Sequence, residues 1–371
     1  MRHDDDRVDE IARFRALTEG RRYDRRTFLS MCAILGVSAA AARVSPAAAA
    51  SKEIVLVNWG GDAVAAMHKA WVEPYAKLRP DAKVVIDGVG PSSGKVRAMV
   101  GSGKVTWDVM DRNMQGSIEL GGEGLLERID YSVVDRTKVR PEHAGEWGIG
   151  NYIYTHNLTY NSKALGGRVP TSWADVWNVK DFPGKRAFRR QQFDGVLEAA
   201  LMADGVPPDK LYPLDVKRAL AQIKLIRPHT VFYDSLAQGQ QLFRDHEVVI
   251  GSLLNTRALP LMRDTSGECR FIWNQGLVMV GAWTVPKGST GGKGVWDFIA
   301  STQEPAGQVE LFKLLGNSPI NPAAATLVPD NLKPFDPGNP ANYKQMILGD
   351  PEWYAANQTA VAEQYMDAIS S

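Results

Sequence analysis

Cysteine is almost absent: of 371 residues only Cys32 and Cys269 are cysteines. Cys32 falls in an N-terminal leader, so Cys269 stands alone in the remainder and no intramolecular disulfide forms there. Stability must come from a hydrophobic core, which a chain of this length can build. Long apolar runs are also missing. Met31 to Ala42 is only about a dozen residues, where a bilayer span needs about 20. Neither sign of charge dominates, with 43 Lys+Arg against 42 Asp+Glu. Residues 1–50 hold nine of the basic and seven of the acidic residues, so residues 51–371 are about neutral. That excludes the basic footprint of a nucleic-acid binder or a membrane-surface protein.

Catalytic and metal motifs are lacking as well. The six histidines show no His-Glu-x-x-His spacing, there is no Gly-x-Ser-x-Gly elbow, and a lone cysteine argues for no Cys–His nucleophile pair. Gly90-Pro-Ser-Ser-Gly94-Lys95-Val96 falls short of a phosphate loop, with Val89 where the first glycine belongs and Val96 in place of Ser or Thr. It reads as a turn and helix start, with Ser93 facing a cleft. No cofactor and no metal are expected.

What is present begins with the leader. Asp24-Arg25-Arg26-Thr27-Phe28-Leu29-Ser30 is a twin-arginine pattern, followed by the short apolar stretch and an alanine-rich end at Ala48-Ala49-Ala50. It predicts export of the folded chain by the twin-arginine translocase, cleavage near Ala50 and a periplasmic destination. Cys32 lies inside the apolar stretch, which argues against a lipid anchor.

From Ser51 onward short apolar runs alternate with longer amphipathic ones, the β/α order of mainly parallel sheets with ligand crevices at strand carboxyl ends. The first run, Ile54 to Val57, has no polar alternation and fits a strand covered on both faces. It breaks at Asn58-Trp59-Gly60-Gly61-Asp62, where the glycines permit close backbone approach and Trp59 can wall a site. Tyr152 to Asn161 and Val278 to Pro286 are extended runs with no nearby partner helix, and predict two crossings between lobes near residues 159–162 and 280–284. The expected division is 51–161 for the first segment of lobe 1, 162–280 for lobe 2, and 281–371 for the return to lobe 1 with C-terminal helices near the hinge. Residues 324–351 read as a long surface loop.

Asn58-Trp59-Gly60-Gly61, Asp108-Val109, Asn151 to Asn161, Pro170-Thr-Ser-Trp-Ala-Asp-Val-Trp177, Phe182-Pro-Gly-Lys185, Asn255, Trp273-Asn-Gln-Gly276, Trp283 to Gly288 and Asn317-Ser-Pro319 occur in an order and spacing that matter together. Together they resemble the extracellular solute-binding proteins of ABC importers, spermidine/putrescine-binding type. The resemblance implies an α/β, two-lobe periplasmic binding protein fold of type II with a double crossover hinge. It also implies interlobe closure on a small nitrogen-containing solute and delivery to an inner-membrane permease with its ATPase, by a monomer that is not an enzyme.

The departures from that family's pattern concern charge. Its ammonium-gripping acids would fall at Gln192, Gly195 and Gly281, and two of its tryptophans at Leu254 and Met279. A buried ammonium without a carboxylate costs several kcal/mol, so the expected solute is a zwitterion or an organic anion. The expected ligand-binding residues are Trp59, Gly60, Asp62, Ser93, Arg112, Asn113, Gln192, Asp194, Asn255, Arg257, Trp283 and Asn317. Arg112 and Arg257 offer planar forks for an acidic group. Two alternatives remain at this point: a ferric-ion receptor of the same fold, which would use adjacent tyrosines that the chain lacks, and an exported α/β enzyme.

Replacing Arg25 and Arg26 by lysine is expected to leave uncleaved precursor in the cytoplasm, because the pathway reads guanidinium pairs and charge alone does not substitute. Cell fractionation checks this; undiminished periplasmic protein would show that the leader is of another type.

Overall fold

The computed structural model describes residues 53–370; the leader, with its arginine pair and cleavage site, lies outside them. In chain order the main strands are β1 (Glu53–Val57), β2 (Lys83–Asp87), β3 (Val109–Asn113), β4 (Ile149–Asn161), β5 (Arg186–Arg189), β6 (Thr230–Tyr233), β7 (Ile250–Leu254), β8 (Cys269–Phe271) and β9 (Leu277–Thr284). They hydrogen-bond in the order β2-β1-β3-β9-β4-β7-β5-β6, with β8 also paired to β4. β1 lies parallel to both β2 and β3 and buries Ile54, Leu56 and Val57, which accounts for its unbroken apolar run.

The middle of the sheet decides where a site can form. β3 is antiparallel to β9, β9 to β4, and β4 to β7. The first-half strands β1–β3 therefore run opposite to β5–β7, and the carboxyl ends of the two sets approach each other. Asn113, ending β3, is level with Gly281 of β9 and Tyr152 of β4. Leu254, ending β7, is level with His156 of β4. Both sets of strand ends thus converge on residues 152–156. The result is the two-lobe fold expected from the sequence, with β4 and β9 as the strands shared by both halves; β4 already pairs with β7 at His156, ahead of the crossing near residues 159–162 that the sequence suggested.

Each half has its own core. In the first, Leu56, Trp71, Trp283 and Phe298 pack together, with Trp71 and Trp283 edge to face at 5.0 Å. Trp71 is carried by a π turn, His68–Val72, set between the helices Asp62–Met67 and Glu73–Leu78. In the second, Phe188, Leu197 and Ile250 are joined by Tyr354, Val361, Tyr365 and Ile369 of the final helix Pro351–Ser370. Those four fall at intervals of seven and four, one face of a helix, so the last helix packs into the second half's core, whereas the sequence-based division assigns it to lobe 1.

The helix Met114–Gly122 has no counterpart in the sequence-based reading, because Gly116, Gly121 and Gly122 depress its intrinsic propensity. It forms because Asn113 caps it, Oδ1 accepting from Gly116 N at 3.0 Å. Residues 324–351 are more ordered than a surface loop: short helical turns at Lys333–Phe335 and Pro340–Tyr343 lead to a strand, Ile347–Leu348, beside β9. Among the described residues no helix is long and apolar enough to cross a membrane.

The turn after β1 depends on its glycines. Gly60 has φ +74°, and a Cβ there would sit 2.5 Å from the Gly88 carbonyl oxygen; Gly61 has φ +59° but open space around it. Gly61→Ala should cost roughly 1–3 kcal/mol from backbone conformation alone. Gly60→Ala should cost more, since a backbone oxygen cannot swing aside. Urea denaturation of the two variants checks the order; equal losses would show that the contact with Gly88 is slack.

Candidate functional site

The convergence gathers side chains that are distant in sequence. The first half supplies Trp59 and Asp62 after β1, Ser93 at the start of the helix Ser93–Ser102, and Arg112 and Asn113 at the end of β3; the second supplies Gln192 and Asp194 after β5, and Asn255 and Arg257 after β7. Val57 pairs with Met110 in parallel, so the turn carrying Trp59 and the end of β3 carrying Arg112 leave the sheet at the same edge. Trp59 is 51% exposed while Asn58 beneath it is fully buried. Asn58 Oδ1 accepts from Gly60 N at 3.0 Å and so holds the turn that presents the indole.

Two arginines face this zone, one from each half. Arg112 is buried; its guanidinium donates to the Pro91 carbonyl and, at 2.8 Å, to Ser93 Oγ, and its Nε has no partner. Burial pushes its pKa down to about 10, against the pull of Glu119, so it is a cation at neutral pH. Arg257 is half-buried, also has an unpartnered Nε, and reaches the exposed Asp62 carboxylate of the other half at 3.9 Å. At that length and exposure the pair is weak.

The remaining expected residues have other occupations. Asp194 accepts from Arg189 at 2.9 Å; His156 Nε2 is 3.7 Å away, and burial lowers the His156 pKa despite Asp194. Asp194 is therefore a paired carboxylate beside a neutral imidazole. Asn255 is a strut, with Oδ1 accepting from Thr155 N at 2.9 Å and Nδ2 donating to the Gly316 carbonyl at 2.7 Å. Asn317 is buried next to that carbonyl, Gln192 donates to the Gln358 carbonyl at 3.2 Å, and Asn113 spends its oxygen on the helix cap. Trp283 needs correction. Expected in the cleft, it is 1% exposed in the first half's core, its Nε1 bonded to Thr302 Oγ1 at 2.8 Å. The cause is strand alternation: Gly281 and Trp283 share one face, and at β9's end that face points into the core.

Sequence reasoning missed the centre of β4. Tyr152, Tyr154 and His156 alternate along one face, with ring centroids 6.2 and 5.9 Å apart. The Tyr-x-Tyr-x-His period was visible and would have marked them. Tyr152 OH donates to Asp111 at 2.8 Å, and Asn151 Nδ2 donates to the same carboxyl at 2.9 Å. This reach from β4 across β9 to β3 requires Gly281. A Cβ there would collide with Asn151 Oδ1 and lie 2.7 Å from the Tyr152 ring, so no acid fits at that position. Burial drives the Asp111 pKa up to about 7, with the two donors opposing.

Residues 70–340 match the family model described as bacterial extracellular solute-binding protein. The chain belongs to that family. This solute-binding protein is 29% identical over 342 residues to the gamma-aminobutyric acid-binding protein of Pseudomonas aeruginosa, covering 91% of this chain and 95% of the relative. Among solved structures, the Atu4243-GABA receptor is 30% identical with a TM-score of 0.80, over 86% of this chain and 98% of that one. An ABC transporter substrate-binding protein from Bradyrhizobium japonicum is 30% identical with a TM-score of 0.81, over 86% and 100%. A spermidine/putrescine substrate-binding protein from Streptococcus pneumoniae is only 16% identical, which shows the shared fold alone and corrects the polyamine type to the broader family. The solute-binding protein is thus of the substrate-binding kind that serves ABC transporters, and the relatives named for a solute are named for small organic molecules and not for ferric ion.

The raised Asp111 pKa has a consequence for stability. An unfolded aspartate titrates near 3.9 and the folded one near 7. The native state therefore holds a proton that the unfolded chain has lost between about pH 4 and 7, and stability falls as pH rises through that window. Asp111→Asn should flatten this fall and be the more stable protein at pH 8, by up to about 4 kcal/mol. Urea denaturation at pH 5 and pH 8 checks it; parallel pH profiles for the two proteins would show that Asp111 titrates normally.

Proposed function

We propose that the protein is a periplasmic receptor for a short amino acid of the γ-aminobutyrate type, with amino and carboxyl groups at opposite ends. The observation that carries this is the pair of arginines, one per half, each with an unpartnered Nε, at the point where the strand ends converge. The two buried carboxylates nearby are already neutralised. Asp194 is paired with Arg189, and Asp111 is largely protonated below pH 7. An anionic group on the solute supplies the missing counter-charge, with charge-assisted bonds from Arg257 and Arg112. The ammonium end stacks on the exposed Trp59, worth about 0.5–2 kcal/mol, with Asp62 at the rim. Relatives named for gamma-aminobutyric acid support the same class. A long polycation is the poorer fit, since the positions of its expected acids hold Gln192, Gly195 and Gly281.

Residues 51–161 with 281–350 are read as one lobe, and 162–280 joined by the final helix Pro351–Ser370 as the other. They close on the solute because it touches both and so binds the closed arrangement better. The closed complex passes the solute to a permease. Export through the twin-arginine translocase, directed by Arg25 and Arg26, places the receptor in the periplasm.

Titration calorimetry with γ-aminobutyrate and putrescine tests this reading. γ-Aminobutyrate should bind, and Arg257→Ala should weaken it by roughly 2–5 kcal/mol, with Arg257→Lys recovering only part because the fork is lost. Tight putrescine binding that survives Arg257→Ala would overturn it.

A further inference from the structure

The final helix, Pro351–Ser370, is fastened to the second half. Tyr354 OH donates to buried Glu198 at 2.8 Å, Tyr365 OH donates to the Arg189 carbonyl at 2.6 Å, and its apolar face lies in that half's core. Gln358, between those anchors, reaches the other way. Its Nε2 donates to Glu119 Oε2 at 3.0 Å, and Glu119 belongs to the first-half helix Met114–Gly122. The Gln358 carbonyl meanwhile accepts from Gln192 at 3.2 Å, and the other Glu119 oxygen accepts from Arg97 at 2.9 Å. Glu119 also acts electrostatically on Arg112.

We infer that Gln358 and Glu119 form a closure latch that positions the two halves around the solute and sets how long it stays bound. The inference rests on the binding-by-closure reading above. The bond joins a helix packed into one half's core to a helix of the other, and a movement that parts those two helices breaks it. An amide donating to a carboxylate is stronger than a neutral pair, and a contact made in one state alone biases the equilibrium toward that state by its full differential value. Closure then precedes solute capture in part of the population, and release requires the bond to break. The latch ends beside Arg112 through Glu119 and beside the β5 loop through Gln192, so closing and solute contact are mechanically joined.

The charge at position 358 tests this with opposite signs. Gln358→Lys makes an ion pair with Glu119 and should shift the empty protein toward the closed form and slow release about tenfold. Gln358→Glu places two carboxylates together and should open the empty protein and speed release at least tenfold, with association changed less than threefold. Spin labels on cysteines introduced at Leu78 and Leu225, each 69% exposed and one in each half, report the distance distribution; Cys269 is 1% exposed and stays unlabelled. Stopped-flow dissociation of γ-aminobutyrate reports release. In a Glu119→Gln background the lysine effect should vanish, which separates the latch from any general effect on the helix. Distance distributions of the two charge variants that superimpose on the parent would overturn the latch. Shifted distances with no γ-aminobutyrate binding in any variant would leave the latch standing and overturn the solute assignment instead.

Discussion

The antiparallel pairing of β9 with β3 on one edge and β4 on the other is the constraint on which the rest of the molecule depends. Parallel βα units place their loops and helix starts at strand carboxyl ends, so two such units joined in the same direction would point their loops the same way. Here the intervening antiparallel strands reverse the second unit, and the two loop sets meet over the middle of β4. The register is demanding. Gly281 must lie opposite Tyr152, because a side chain there would block the bond from Tyr152 to Asp111. A slip of one residue would send every alternating side chain of β4 to the other face.

Burial then determines which charges remain available. A charge withdrawn from water is stable only when bonded, and the site meets that requirement unevenly. Asp194 has Arg189, and Asp111 avoids the cost by taking up a proton. Arg112 keeps its charge with a carbonyl and a hydroxyl as partners, neither of which neutralises it. Arg257 has only a distant, exposed carboxylate. The sum is a zone whose uncompensated charge is positive, although the chain as a whole is about neutral. Overall charge therefore says nothing of this site, whose sign is set by which partners the fold supplies.

The sequence alone determined the alternation of strands and helices, the two long extended runs and the kinship with solute-binding proteins, because these follow from local periodicity and from motifs kept in order along the chain. It also singled out Trp59, Arg112 and Arg257 as candidates, since a tryptophan or arginine after a buried strand lies where strand ends open. Tertiary structure decided the rest. Trp283 stands two residues from Gly281, yet the core claims it; Asn255 and Asn113 have the right chemistry but spend it on backbone groups. Asp111, Tyr152 and Gln358 gain their partners from 40 to 239 residues away. Such pairings depend on strand direction and register, which local sequence does not encode, and on burial, which only the assembled halves create.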